Sequence, residues 1–296
     1  MYANLLRYAG ARYLWAALVL VAASVVLFEF HTGLTPRGGD TWEGYTLGTI
    51  GAVLVVWLAT LGIRKRAYAS TLGTIAGWTS AHVYLGLALL LVATLHCAGR
   101  FGWNVHTLAY ALMVAVIASG MLGVGLYLLA PPHLLDVRQG RSRSALFAEL
   151  SAVDSTLHNL ADRCRPEVAL AVHSAVDRAT LGGGAIAQLV GSDRSRMLRT
   201  ESQDGGGTVA LVSNADQQPV IDYVSTFIPR AQKSPEAKAL QDVASALGRR
   251  QVVLRMLRRD IRLHGWLTLW LYVHVPLTFA LLAALTVHIL VTFVYW

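Results

Sequence analysis

Five stretches of this 296-residue chain are apolar for long enough to cross the roughly 30 Å hydrocarbon core of a bilayer. They run from about Tyr13 to Phe30, Tyr45 to Ile63, Trp78 to Ala98, His106 to Ala130 and Trp266 to Trp296. In hydrocarbon a backbone N–H or C=O finds no water to bond, so stretches of this length are expected to fold as helices, which satisfy those groups internally. Hydrophobic residues make up 55% of the chain and charged residues 14%. Because the apolar residues gather in blocks, a mean hydropathy of +0.49 describes a membrane protein rather than a soluble domain with a large core. Trp15, Trp42, Trp78, Trp103, Trp266 and Trp296 fall at the ends of the stretches, as interfacial aromatic belts require. The first stretch runs on to Glu29 without a small-residue cleavage site and reads as a helix, not a removable leader.

Basic residues give the expected orientation. Arg7 and Arg12 precede the first span, Arg64, Lys65 and Arg66 follow the second, and a dense group from Arg249 to Arg262 precedes the fifth. The alternate loops hold little beyond Arg37 and Arg100. By the excess of Lys and Arg in cytoplasmic loops, the amino terminus and the long segment before the last helix are expected in the cytoplasm. The carboxyl terminus then lies outside, in a multi-pass protein of a bacterial-type inner (plasma) membrane. The net charge of +8 follows from this asymmetry and is expected to act by attraction to the anionic headgroups of the lipid bilayer. No nucleic-acid recognition motif accompanies the basic runs, so nucleic acid is not an expected partner.

Inside the apolar blocks sit two histidine pairs of equal spacing: His82 with His96, and His274 with His288, each fourteen residues apart. Along a helix fourteen residues climb about 21 Å and return to within about 40° of the same face. Ionisable side chains in a span are costly, so a duplicated pair in matching positions asks for a common cause. Axial ligation of two haems supplies one; structural or proton-handling histidines are the alternative. The third and fifth spans are expected to run parallel, which sets His82 level with His274 and His96 level with His288. An antiparallel arrangement would allow the cross-pairing, so direction assigns partners without proving ligation. The second to fifth spans are expected to form an up-down-up-down four-helix bundle.

With this pattern the chain resembles the membrane cytochromes b. The two H-x13-H pairs look like the haem-bearing core of the cytochrome b of quinol:cytochrome c oxidoreductases. A similar plan occurs in ferric reductases, superoxide-generating oxidases and small cytochrome b subunits of respiratory enzymes. The resemblance covers about Tyr45 to Ala130 and Trp266 to Trp296. It implies two haem b groups, an inner one on His82 and His274 and an outer one on His96 and His288, with the iron as the metal. Gly48 and Gly62 are also fourteen apart, and similar glycine spacing lets the porphyrin approach the backbone in the related cytochromes; close helix packing explains them equally well. The departures narrow the function. The glycine runs Gly182 to Gly184 and Gly205 to Gly207 lack the strand-turn-helix setting of a dinucleotide site. Cys97 and Cys164 are too few for an iron-sulfur cluster, fall on opposite sides of the membrane, and belong to no C-x-x-C-H motif.

The expected class is therefore an all-α integral membrane protein of five transmembrane helices, four of them in the di-haem bundle, with a mostly helical cytoplasmic insert. Residues 1–44 hold the first helix and an outer loop, 45–133 three bundle helices, 134–264 the insert, and 265–296 the last bundle helix. In the insert, Ser144 to Cys164 and Pro166 to Ala179 have helical apolar spacing, Thr208 to Ser213 and Val220 to Phe227 read as candidate strands, and Gly191 to Gly207 reads as an exposed loop. Ser234 followed by Pro235 and Glu236 starts a basic amphipathic helix expected to run through Arg262, its arginines forming a solvated face and interfacial anchor or a dock for an acidic partner. His31 and His106 fall at outer helix ends, and His133 and His264 at inner ends, where they are candidate proton carriers for a quinone. His158 and His173 lie in the insert. The expected function is transmembrane electron transfer, as the cytochrome b subunit of a redox complex exchanging electrons with quinone, with a periplasmic redox subunit, or with both. The short outer loops suit docking of such a subunit. A haem-stabilised membrane anchor for a catalytic subunit, and a haem-free proton transporter, are the other readings.

Overall fold

The computed structural model describes residues 5–31, 36–67, 71–138, 141–203, 206–229, 231 and 235–294, with side chains for all but 5–7, 127–138, 185, 202, 203, 206, 207 and 235. Trp296, Ser234 and the side chain of His133, singled out above, lie outside the described set. Of the described residues 78% are helical. After a 3-10 turn at Leu5–Ala11 come α1 (Arg12–Glu29), α2 (Trp42–Ala59), α3 (Leu61–Arg66), α4 (Ile75–Cys97) and α5 (Val105–Arg138). Next are α6 (Arg143–Ala161), α7 (Pro166–Asp177), α8 (Ala185–Val190), β1 (Arg196–Gln203), β2 (Gly206–Ser213), α9 (Gln218–Ser225) and α10 (Pro235–Val294). Among the described residues, five helical stretches are long and apolar enough to cross a membrane by length and composition: Tyr8–Glu29, Trp42–Arg66, Ile75–Cys97, Val105–Leu126 and Glu236–Val294.

The chain divides into two compact units, Met1–Gly125 with Leu269–Trp296, and Leu126–Thr268; α5 and α10 contribute residues to both. In the first unit, hydroxyl caps set the helix starts. Thr41 accepts from the Gly44 N–H at the start of α2, and Thr74 from the Gly77 N–H at the start of α4, satisfying donors that have no partner within the helix. Helix α4 stops where Ala98 and Gly99 turn to positive φ (48° and 72°). Val55 and Leu58 of α2, Leu89 of α4, Met113 of α5 and Leu281 of α10 meet in one apolar cluster. Large apolar side chains such as Trp15, Val53, Leu91, Leu122, Phe279 and Phe293 remain exposed. Arg64, read from sequence as part of a basic loop, is instead buried, and donates to the carbonyls of Ala67, Leu72 and Gly73, fastening the chain that follows α3.

The second unit departs from the sequence reading at two elements. Residues 191–207 were expected to be an exposed loop, but 196–203 form β1, paired antiparallel with β2 from Arg196 opposite Ser213 to Gln203 opposite Gly206. Charged residues interrupt the alternation of β1, yet Met197 is buried in the core. Residues 220–227 were expected to be a strand, but 218–225 are helical α9, begun by Pro219. Its β-branched run suggests a strand, while burial of Val220 and Val224, four apart, is one face of a helix. These side chains join Leu157 of α6, Val168 and Val172 of α7 and Leu240 and Leu247 of α10 in the main core.

The arginines of α10 are tied inward. Arg250, 1% exposed, donates to Asp154 at 2.6 Å, to the Gln217 side chain at 2.5 Å and to the carbonyl of Val176 at 3.2 Å. Arg249 pairs with Glu149, Arg255 with Asp216, and Arg258 with Asp193. The basic run is thus mostly internal wiring of this unit. Burial opposes ionisation of Asp193, but hydrogen bonds from Ser195 and from the Asp216 N–H, with Arg258 beside it, hold the carboxyl below its usual range. Arg249, with Arg141, does the same for Glu149.

Truncation of Arg250 leaves Gln217 and two carbonyls without their donor, so Arg250→Ala is expected to destabilise this unit by about 3 kcal/mol, seen as faster hydrogen exchange in α6 and α7 of the full-length protein. Carboxyls whose folded pKa is depressed contribute stability above their unfolded value and lose it as pH falls through the folded one. Stability of the unit should accordingly hold from neutral pH down to about 4 and fall below it, less steeply in Asp193→Asn, by circular dichroism titration.

Candidate functional site

Each of the four repeated histidines has its Nδ1 engaged by a neighbouring helix. On α4, His82 donates to the carbonyl of Leu58 at 3.1 Å and His96 to the carbonyl of Gly44 at 2.8 Å. A carbonyl only accepts, so both rings carry their proton on Nδ1 and a lone pair on Nε2. The break between α2 and α3 at Thr60 explains the first bond, because carbonyls in the last turn of a helix are left for outside donors. On α10, His274 Nδ1 lies 2.7 Å from the Ser119 hydroxyl, whose own proton goes to the Val116 carbonyl at 2.8 Å. With that proton on the carbonyl, Ser119 Oγ accepts from His274, which then has the same tautomer. His288 Nδ1 meets His106 Nδ1 at 2.5 Å.

The supports are as regular as the histidines. Gly44 and Leu58 lie fourteen apart on α2, and His106 and Ser119 thirteen apart on α5. Since Leu58 goes with His82 and Gly44 with His96, α2 runs opposite to α4; His106 and Ser119 place α5 opposite to α10 in the same way. Thr278 and Thr292 each bond back to the carbonyl of the histidine four residues earlier, both at 2.9 Å. Pro276, inside α10, removes the N–H that would bond Tyr272.

Between helices, the His96 and His288 rings stand 6.1 Å apart, nearly perpendicular at 85°. His82 and His274 are close enough to act on one another electrostatically. The imidazoles pair in the same order along both segments. The two glycines singled out with them differ. A Cβ at Gly48 would come within 2.7 Å of His96 Cε1 and 3.0 Å of its Nδ1, so the bare backbone there gives the ring its place. A Cβ at Gly62 would meet nothing within 4 Å.

Sequence reasoning missed several members of the site. Trp270 stacks on His274, ring centroids 5.3 Å apart, and donates its N–H to the Ser119 carbonyl at 2.7 Å; Gly123 makes room for its indole. His106, assigned to an interface, holds His288 instead, and Ser119 drew no attention. A hydroxyl or imidazole about fourteen residues from another on a neighbouring apolar block was the available signal. His31 lies 3.3 Å from Glu43. The rings of His158 and His173 lie 4.8 Å apart, tilted at 54°, in the second unit, and His264 is an exposed residue of that unit. Cys97 and Cys164 are free and half-buried.

Among the described residues no three His, Cys, Asp or Glu side chains gather to hold a metal ion. The histidine donors come in pairs, the number that a porphyrin-bound iron takes from a protein in bis-histidine ligation. Compared with known proteins, the chain matches no family model, no curated protein and no solved structure. The geometry makes Gly48 the sensitive glycine. Gly48→Val is expected to displace His96 and remove its hydrogen-bonded Nδ1–H resonance in histidine-labelled protein, while Gly62→Val leaves the resonance in place.

Proposed function

We propose that the four histidines hold two b-type haems in a membrane-spanning four-helix bundle, and that the protein carries electrons across a bacterial-type inner membrane. The observation that carries this reading is the common treatment of the imidazoles. Tautomers fixed through Nδ1 leave the Nε2 lone pairs of His82, His96 and His274 for a metal, and second-shell bonds of this kind orient histidine ligands and raise their basicity. The ring separation fits as well. Two metal–imidazole bonds of about 2 Å, plus the distance from each nitrogen to its ring centre, span about 6 Å, against 6.1 Å between His96 and His288. In this reading Gly48 seats the ring of the outer-site ligand His96.

Bound between the helices, two haems would supply a pair of one-electron centres, one toward each membrane face. The chain's own part is to orient the imidazoles, to set their basicity through Leu58, Gly44, Ser119 and His106, and to exclude water with the apolar cluster that separates the two levels. In this proposal His82 and His274 serve the inner site and His96 and His288 the outer, and the bundle runs up-down-up-down through α2, α4, α5 and the last part of α10. The amino terminus and the second unit face the cytoplasm. Quinone and a periplasmic electron-transfer subunit are the proposed exchange partners, within a redox complex.

Because each site takes one ligand from each segment, His82→Ala and His274→Ala should lose one haem in common, and His96→Ala and His288→Ala the other. In variants that reach the membrane, pyridine haemochrome analysis is expected to fall from two haems to about one per chain, with matching residual midpoint potentials within each pair. Ser119→Ala should weaken inner-site occupancy about tenfold or more. Matching potentials between His82→Ala and His288→Ala would reverse the pairing, and unchanged haem content in all four would end the proposal.

A further inference from the structure

The first unit contains three carboxylates, Glu29, Asp40 and Glu43. Glu29 is exposed and bonds Arg37 at 3.0 Å; Asp40 is exposed and lies 3.8 Å from Arg100. Glu43 is different. It is 3% exposed, its Oε1 faces His31 Nδ1 at 3.3 Å, and its buried Oε2 has no hydrogen-bond partner among the described residues. A cavity of about 10 Å³, bordered by Phe28, His31, Arg37, Thr41, Gly44 and Leu95, adjoins the carboxyl. That is room for about one water. The next residue along the chain, Gly44, carries the carbonyl that fixes His96.

A buried carboxylate is costly unless paired and fully bonded, whereas a protonated one uses its spare oxygen as a donor. The cation nearest the cavity, Arg37, is already committed to Glu29 and lies over the Phe28 ring. Of the other titratable groups in this region, His31 after α1 meets Glu43 directly, Asp40 pairs with Arg100, and His96 on α4 bonds the carbonyl of the adjacent Gly44 rather than the carboxyl. We infer that Glu43 and His31 form a proton-accepting pair coupled to the outer histidine site, so that an electron arriving there is accompanied by a proton bound from outside water. The inference rests on the proposed haem reading. An added electron at the outer site lowers the local positive charge by one, which raises the proton affinity of a nearby carboxyl–imidazole pair. Glu43 and His31 then gain one proton per electron, and lose it when the electron leaves. His31, whose side chain is about 10% exposed, is the solvent side of the pair.

The test uses the full-length protein in lipid nanodiscs, with dithionite as reductant and ferricyanide as oxidant. In the wild type the outer midpoint potential should fall with rising pH by up to tenfold in equilibrium constant per pH unit, about 59 mV for one electron. Glu43→Gln should raise that potential and flatten its slope, leaving the inner haem unchanged, and His31→Gln should shift the pH window. The reduced-minus-oxidised infrared spectrum of the wild type should contain a protonated-carboxyl band that shifts in D2O and is missing in Glu43→Gln. A haem-loaded protein whose outer slope survives Glu43→Gln overturns the proton pair alone. So does a wild-type spectrum without the carboxyl band, which decides the matter even where the variant does not assemble. A wild-type preparation with no Soret band overturns the haem reading, and this inference with it.

Discussion

The hydrogen bond between a half-buried imidazole and the neighbouring helix is the interaction on which the first unit is organised. Four such rings lie among apolar side chains, where an unsatisfied N–H costs more than most single contacts contribute. Each ring's Nδ1 is met by α2 or α5, at Leu58, Gly44, Ser119 and His106. The bonds hold helix to helix in a setting where apolar packing is weakly directional. Through the tautomer they also decide which nitrogen is offered to a ligand. Structural cohesion and the proposed chemistry thus depend on the same atoms.

Much of this was legible in the sequence because side chains repeat with a period. Apolar blocks marked the helices, and His82, His96, His274 and His288 declared their spacing without reference to any fold. Their supports were hidden for a physical reason. Leu58 and Gly44 act through backbone carbonyls, which every residue has, so no residue type announces them. Ser119 and His106 do act through side chains, but their partners are 155 and 182 residues away, beyond any local pattern. Gly48 and Gly62 look alike in sequence and differ only in what faces them. In the second unit, α6 and α7 followed from apolar periodicity. β1 was obscured by its charges, although Asp204-Gly205 between two runs is a hairpin-turn sequence. The valines and isoleucine of α9 favoured a strand until packing on α7 and α10 selected a helix.

The arginines of α10 show the opposite limit. Their charge was plain, but a basic run reads the same whether its counter-ions lie in solvent, in a partner or in the same unit. Here Glu149, Asp154, Asp193 and Asp216 supply them. Two of these acids are on α6, one lies between α8 and β1 and one between β2 and α9, so the pairing emerges only once α6, the hairpin and its connections have packed against α10.

One consequence of α2 concerns chain length. Its Gly44 and Leu58 carbonyls meet His96 and His82 at opposite ends of α4, so the helix works as a ruler between two fixed marks. Inserting or deleting a residue between the marks would turn one end by about 100° relative to the other and shift it by about 1.5 Å. No local adjustment restores both bonds at once. Evolution can vary the side chains along the outward face of this helix freely, but its count of residues between the two carbonyls is locked to the count between the two histidines.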